Sequence, residues 1–293
     1  MKLGVSIESE WIRMVLVTAG GETLLESEYK TPNTTETIVS SLNTRISNHQ
    51  FRYGAIERIG ISISEYLQFG FGQGTPFREK IQSKLLSHVR KYDWNQTPIT
   101  CAQAAALSEM KRNKANKNER LMTVVLDTDC SIGFSTVRQR PVATSSVDFS
   151  HWAHSPLPYY EALNDGLTPI CRCGNENCID QFLSTGGLER QYHQLVLNNL
   201  TVQEIFDALE RYDMQATRIY RMYVDQLARA LSPQISQLRP TRLVLYGMIS
   251  RYPALAFDLK AALGRYCNNS DIPLVSCSEL GHFSSAYGAT LHS

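Results

Sequence analysis

Residues 170–180 read ICRCGNENCID and place Cys171, Cys173 and Cys178 within eight positions of a chain that has seven cysteines in all. Three soft sulfur donors in so short a run are most of a tetrahedral zinc site, which takes four ligands from cysteine and histidine. Upstream, HWAHSPLP (151–158) supplies His151 and His154, and a loop can fold either onto the metal. Cys-x-Cys with a third cysteine five residues on is less common than paired C-x-x-C knuckles, so the spacing leaves two other readings open. These are three reduced, partly buried thiols and a reactive thiol pair. The other cysteines, Cys101, Cys130, Cys267 and Cys277, are scattered and are expected to be free thiols of a reducing compartment.

Working outward, 293 residues with 43% hydrophobic content are enough for one large or two mid-sized domains with buried cores. Basic and acidic residues number 29 and 28, so no global field draws the chain to nucleic acid or to an anionic membrane. The opening MKLGVSIESEW alternates apolar and polar positions without a charged-then-apolar leader, and no later stretch has the length of a membrane span. A cytoplasmic protein with neither a nucleic-acid nor a membrane partner is expected. The basic run at the end of CAQAAALSEMKRNK (101–114) reads as a solvated helix end.

The pattern along the chain is that of an α/β protein. KLGVSI (2–7), IRMVLVT (12–18) and TLLESEY (23–29) predict an antiparallel meander, with Gly20 and Gly21 turning the second strand into the third. Helical spacing follows at 35–50 and 78–92, with strands at 57–64 and 98–100 between and after them. LMTVVLDT (121–128) and GFSTVRQ (133–139) then restart the meander, as if one unit were used twice, which suggests two lobes of similar topology around a cleft. Residues 145–185 lack periodicity and predict loops. Amphipathic helices are expected at 202–213 and 216–238, the second bent or reset at Pro233, whose nitrogen carries no hydrogen. Strands at 241–247 and 272–277 alternate with helices at 252–266 and 284–292. The expected division is an N-terminal lobe of residues 1–118 joined by the closing helix, 282–293, and a C-terminal lobe of 119–281 containing a zinc loop at 150–182.

CRCGNENCID (171–180), preceded by HWAHSPLP, resembles the signature of the ROK family (repressors, open reading frames and sugar kinases), G-E-x-G-H followed by C-x-C-G-x-x-G-C-x-E. The likeness is greatest to its bacterial fructokinase and N-acetylglucosamine kinase members. It covers almost the whole chain, since MKLGVSI matches the opening strand and SSAYGATL (284–291) the closing helix. The resemblance implies an actin-like ATPase (ribonuclease H-like) fold with sugar and ATP in a central cleft. It also implies His154 as fourth ligand beside Cys171, Cys173 and Cys178 of a structural zinc, and a homodimer.

The kinase parts of that pattern are altered in this chain. The phosphate turn D-x-G-G-T-K, whose glycine amides approach phosphate, reads SIESEW, with Ser6 for the acid, Glu8 and Ser9 for the two glycines and Glu10 for the threonine, so Glu8 and Glu10 put negative charge beside the expected phosphates. A carboxylate about 4 Å from a phosphate costs on the order of 1 kcal/mol in water and roughly 4 near a protein surface. The N-D-A-N motif that supplies the general base reads TCAQ, with Cys101 at the base position and Thr100 and Gln103 for the asparagines. A thiol with a pKa near about 8.5 is a poor base at neutral pH, and losing a positioned base removes about 10² to 10⁴ of rate. The second phosphate loop, G-T-G-x-G-x-G, reads DTDCSIG, where Asp127 and Asp129 stand for glycines and Thr128 and Gly133 are retained.

In the sugar shell His151 replaces the glutamate of G-E-x-G-H, Asp180 replaces the glutamate after the third cysteine, and FGFGQGTPF (69–77) is shorter than the family's sugar-contacting loop. YGMIS (246–250) stands near the usual G-G-G-x-S. With the family's ATP and Mg²⁺ positions so changed, the expectation is a kinase homologue that has lost phosphoryl transfer and binds a sugar-like ligand or a protein partner. The alternative is an active hexose or N-acetylhexosamine kinase with a rebuilt base among Cys101, His151 and Asp129. The repressor branch carries a helix-turn-helix ahead of the first strand, and this chain begins at that strand.

Overall fold

The structure is a computed structural model that describes residues 1–64, 67, 99–112, 118–136, 151–171 and 173–292. The expected helix at 78–92 and the FGFGQGTPF segment lie outside the described residues. The described residues fall into two compact units, one within Met1–Ala115 and Phe283–Ser293, the other within Asn116–Arg138 and Ser145–His282.

The first unit is built on a mixed sheet of β1 (Lys2–Ile7), β2 (Trp11–Val17), β3 (Thr23–Lys30), β4 (Arg58–Ile63) and β5 (Ile99–Thr100), in the order β3-β2-β1-β4-β5. β1 is antiparallel to β2 and parallel to β4. Both β1 and β4 alternate large and small residues, and their register sets Gly4 against Gly60 and Ser6 against Ser62. Strand side chains alternate between faces, so the large residues share one face and the small ones the other. Leu3, Val5 and Ile7 bury with Ile38, Leu42 and Ile46 of helix α1 (Thr35–Tyr53), which opens on a capping box between Thr34 and Thr37.

The small face admits the last helix, α9 (Ser284–His292), at backbone distance. A Cβ on Gly4 would lie 1.9 Å from the Ala286 carbonyl oxygen. α9 packs equally closely on α2 (Cys101–Arg112), where a Cβ on Gly288 would sit 1.7 Å from the carbonyl oxygen of Ala104. Gly288→Ala is therefore expected to push the two helices apart and to cost about 1–3 kcal/mol, measurable as a lowered urea midpoint.

The second unit repeats the hairpin followed by a parallel strand. Its strands are β6 (Arg120–Leu126), β7 (Cys130–Thr136), β8 (Arg242–Tyr246) and β9 (Leu274–Cys277), in the order β7-β6-β8-β9. β6 and β7 are antiparallel, while β6, β8 and β9 run parallel. The sequence reading started the second strand at 133; the ladder begins at Cys130, because a tight turn at 127–129 closes the hairpin earlier.

Short helices α3 (Ala162–Asp165) and α4 (Asp180–Leu183) belong to the loop region, and α5 (Thr185–Val196), α6 (Val202–Glu210), α7 (Met214–Leu238) and α8 (Leu255–Leu263) cover the sheet. α6 starts on a Thr201–Glu204 capping box, and Asp213 caps α7 by accepting from the amides of Gln215 and Ala216. The interruption expected at Pro233 does not reset the helix: α7 runs continuously from 214 to 238 with Pro233 inside it. Pro233 cannot donate to the Arg229 carbonyl, and the Ser232 hydroxyl donates to it instead at 3.1 Å. No described helix is long and apolar enough to cross a membrane.

Candidate metal centre and the residues at the phosphate positions

A two-stranded pairing brings the histidine segment and the cysteine run together. Pro156 bridges to Cys178, the Leu157 amide donates to the Asn177 carbonyl at 2.9 Å, and the amides of Ile179 and Asp180 donate to Ser155 and Ala153 at 2.9 and 2.8 Å. Gly174 closes the cysteine knuckle at φ 87°, a left-handed conformation that glycine adopts without strain, and its amide donates to the Cys171 carbonyl at 2.8 Å. On the histidine side the Trp152 indole, 4% exposed, donates to the Ala230 carbonyl in α7 at 3.1 Å and fixes the segment to the core.

The donor atoms of His154, Cys171, Cys173 and Cys178 consequently lie within 4.8 Å of one another. His154 Nδ1 is 3.4 Å from Cys171 Sγ, and the sulfurs of Cys173 and Cys178 are 3.5 Å apart. Donors of a tetrahedral zinc, at about 2.3 Å for sulfur and about 2.0–2.1 Å for nitrogen, stand roughly 3.5–3.8 Å apart, so this donor set could hold the ion with a small contraction. His151 is exposed and outside the group; its carbonyl accepts from the His154 amide at 3.1 Å and the Ser155 hydroxyl at 2.9 Å. Burial pushes the Cys171 and Cys178 thiols up. At Cys173 burial also acts upward but is outweighed by hydrogen bonding from the Asn175 backbone and the neighbouring thiols, which leaves its pKa below the ordinary value.

In the first unit the residues at the phosphate turn are engaged with one another. Register places Ser6 opposite Arg13 and Arg13 opposite Glu28 on three adjacent strands. The Ser6 hydroxyl donates to Glu8 Oε1 at 2.8 Å, the Arg13 guanidinium forms an ion pair with the other Glu8 oxygen, and Arg13 Nε donates to Glu28 at 3.3 Å. Arg13 is only 7% exposed, so Glu8 carries a compensated rather than a bare charge, and repulsion by Glu8 is smaller than its sequence position implies. Glu10 pairs instead with Lys30 at 3.6 Å on the exposed side. Ser9 carries a buried hydroxyl oxygen with no hydrogen-bond partner among the described residues. Arg13 was missed by sequence reasoning, although an arginine inside the otherwise apolar IRMVLV run was its signal.

Thr100 and Gln103 form a reciprocal helix cap: the Gln103 amide donates to the Thr100 hydroxyl at 3.2 Å, and the Thr100 amide to the Gln103 side-chain oxygen at 3.1 Å. Cys101, buried at the start of α2, places its sulfur 3.4 Å from the Ser6 hydroxyl. In the second unit the Asp127 carboxylate accepts from the amides of Thr128 at 2.9 Å and Met248 at 3.1 Å, tying the β6–β7 turn to the segment after β8. Asp129 is buried and its carbonyl accepts the Asp127 amide at 3.3 Å. Asp180 Oδ1 accepts from the Cys130 amide at 3.0 Å, which joins the end of the cysteine run to β7.

The ROK family model matches residues 2–292. N-acetyl-D-glucosamine kinase of Salmonella arizonae is 25% identical over 260 residues, covering 82% of each chain, and its counterpart in Escherichia coli O6:H1 is 24% identical over 280 residues, 91% of this chain and 90% of that one. A ROK family glucokinase from Streptomyces griseus, solved with glucose and AMPPNP, superposes with a TM-score of 0.75 at 18% identity over 99% of this chain and 97% of its own. The ROK hexokinase of Thermus thermophilus gives 0.74 at 20% identity over 99% and 97%. The fold is the α/β actin-like ATPase fold of those proteins. On a family match that spans all but its end residues, this chain belongs to the ROK family.

Proposed function

We propose that this chain is a sugar-kinase homologue that no longer transfers phosphate and acts by binding a sugar-like ligand. The supporting observation is the environment of Cys101. At the position where the family motif supplies a carboxylate base stands a buried thiol, 3.4 Å from the Ser6 hydroxyl and at the head of a helix whose cap consumes Thr100 and Gln103. General-base catalysis needs a group that is ionised at working pH, and an ordinary thiol, with a pKa of about 8.5, is largely neutral there.

The phosphate positions agree with this reading. The carboxylates of Glu8 and Asp127 are engaged by Arg13 and by backbone amides, so a nucleotide phosphate would have to displace these contacts. The names of the relatives, kinases of N-acetylglucosamine and of hexoses, support a sugar as the ligand class.

His154, Cys171, Cys173 and Cys178 are the residues that would hold zinc. Bound there by four protein donors, the ion supplies folding free energy and leaves no open position for a reacting group. Binding to the native state raises its stability by RT ln(1 + [L]/Kd), about 2.7 kcal/mol at one hundred times Kd. Millimolar magnesium tripolyphosphate, which presents the phosphates without the nucleoside, is therefore expected to leave the melting temperature unchanged, while at least one sugar of a panel of fructose, glucose, mannose and N-acetylglucosamine raises it. A saturable shift with magnesium tripolyphosphate would favour the rebuilt-kinase reading instead.

A further inference from the structure

A cavity of about 640 Å³ opens in the second unit where the C-terminal end of α6, the first half of α7 and the length of α8 meet. None of the positions expected to face a nucleotide, Asp127, Thr128, Asp129 or Gly247 to Ser250, lines it. Its volume lies in the range of small-molecule sites, which are mostly apolar with a few placed polar groups.

The wall is aromatic and already fixed. Tyr252 stacks on Phe206 with centroids 5.0 Å apart and an interplanar angle of 26°, and meets Tyr220 edge-on at 4.9 Å and 68°. The Tyr220 hydroxyl donates to Asp258 Oδ2 at 2.7 Å, so the ring cannot swing away without breaking a charge-assisted bond. A third ring, Tyr212, stands at the rim, 90% exposed.

Charge around the cavity is mixed: Arg221 and Arg265 share the lining with Asp258, and Glu210 lies near Tyr252. Arg221 is exposed on α7 and has neither a hydrogen bond nor an ion pair among the described residues. Arg265 is held at 2.9 Å by Asp225, and Asp258 is the one carboxylate in the lining. A polyhydroxylated sugar fits less well, because each buried hydroxyl needs a partner, and Asp258 is already bonded to Tyr220 and Arg265 to Asp225. A flat ring needs only the tyrosine faces, and an acidic substituent needs only the guanidinium at the mouth.

We infer that this cavity is a second small-molecule site, taking a planar aromatic ring that carries a carboxylate or phosphate. It stands independently of the loss of phosphoryl transfer. The chemistry is shared by aryl carboxylates and nucleoside monophosphates, so the probes are indole-3-acetate and adenosine monophosphate, with uncharged indole and glucose as controls.

Titration of the intact chain by calorimetry, with ligand-observed NMR as a second readout, is expected to show saturable binding of at least one of the two anions and weaker binding of indole. Arg221→Ala removes a solvent-exposed side chain and is expected to weaken that anion about tenfold without moving the melting temperature. Tyr212→Ala, also exposed, is expected to weaken anion and indole alike. Failure of both anions to bind overturns the inference. So does binding that Arg221→Ala leaves unchanged, which would place the anion elsewhere on the chain.

Discussion

Replacing Cys173 by serine is expected to lower the stability of the second unit by several kcal/mol, a share of the roughly 10–16 kcal/mol that structural zinc sites contribute. The size of the effect separates the metal reading from the alternative of idle thiols. Cys173 is only partly buried, so in a metal-free loop the substitution would be a near-surface change of within about 0.5 kcal/mol. Protein purified without added metal is expected to carry about one zinc per chain by elemental analysis, and denaturant unfolding of the Cys173→Ser variant gives the energetic half of the test. A metal-free, fully folded wild type with an unaffected variant would remove zinc from the account.

The second large effect concerns how the metal loop is fastened to α7. Asp165, 1% exposed in α3, forms an ion pair with Arg229, which also donates to the carbonyls of Pro158 at 3.1 Å and Tyr159 at 2.9 Å. Asp165 further accepts from Gln226 at 3.2 Å and from the Glu161 amide at 2.9 Å, and Arg229 Nε lies 3.0 Å from Asp225. One guanidinium thus holds the loop on both sides of Tyr160.

Neutralising Asp165 leaves the buried Arg229 with the less buried Asp225 as its remaining carboxylate, so Asp165→Asn is expected to cost about 3 kcal/mol, the low end for breaking a buried pair. At about 2–4 °C per kcal/mol for a unit of this size, the melting temperature should fall by roughly 10 °C. Replacing both partners, Asp165→Leu with Arg229→Met, is expected to cost less than the sum of the two single changes, because no charge is then buried alone. Additive losses in that double-mutant cycle would show that the pair is not the fastening.

How much of this could be read from residues alone depends on the range of the interaction. The alternation of large and small residues in KLGVSI and RIGISI is local, and it already implies a sheet with one deep and one shallow face. The hairpin of β1 and β2 follows from periodicity in the same way. Pro233 was misjudged because its effect was weighed without the neighbouring Ser232, whose hydroxyl takes over the orphaned carbonyl.

The charged groups were harder still. Glu8 beside a phosphate position reads as exposed negative charge in one dimension. Only the register of β1, β2 and β3 shows that Arg13 sits between it and Glu28. His151 and His154 are equally plausible ligands by spacing. The pairing of Pro156 with Cys178 decides between them, since it turns His154 toward the sulfurs and leaves His151 in solvent. Arg229 carried no signal beyond an arginine among small residues in LARALS, and its partner lies 64 positions away.

The central claim, that phosphoryl transfer is lost, is tested most directly by following ATP-dependent formation of sugar phosphate with zinc-replete protein, Mg²⁺ and fructose, glucose, mannose or N-acetylglucosamine. On this proposal the thiol at the base position and the engaged Glu8 and Asp127 carboxylates predict no product above the protein-free control, with Cys101→Asp alone failing to restore it because Thr100, Gln103 and Glu8 remain engaged. Clear, protein-dependent phosphorylation of any one of these sugars would contradict the account.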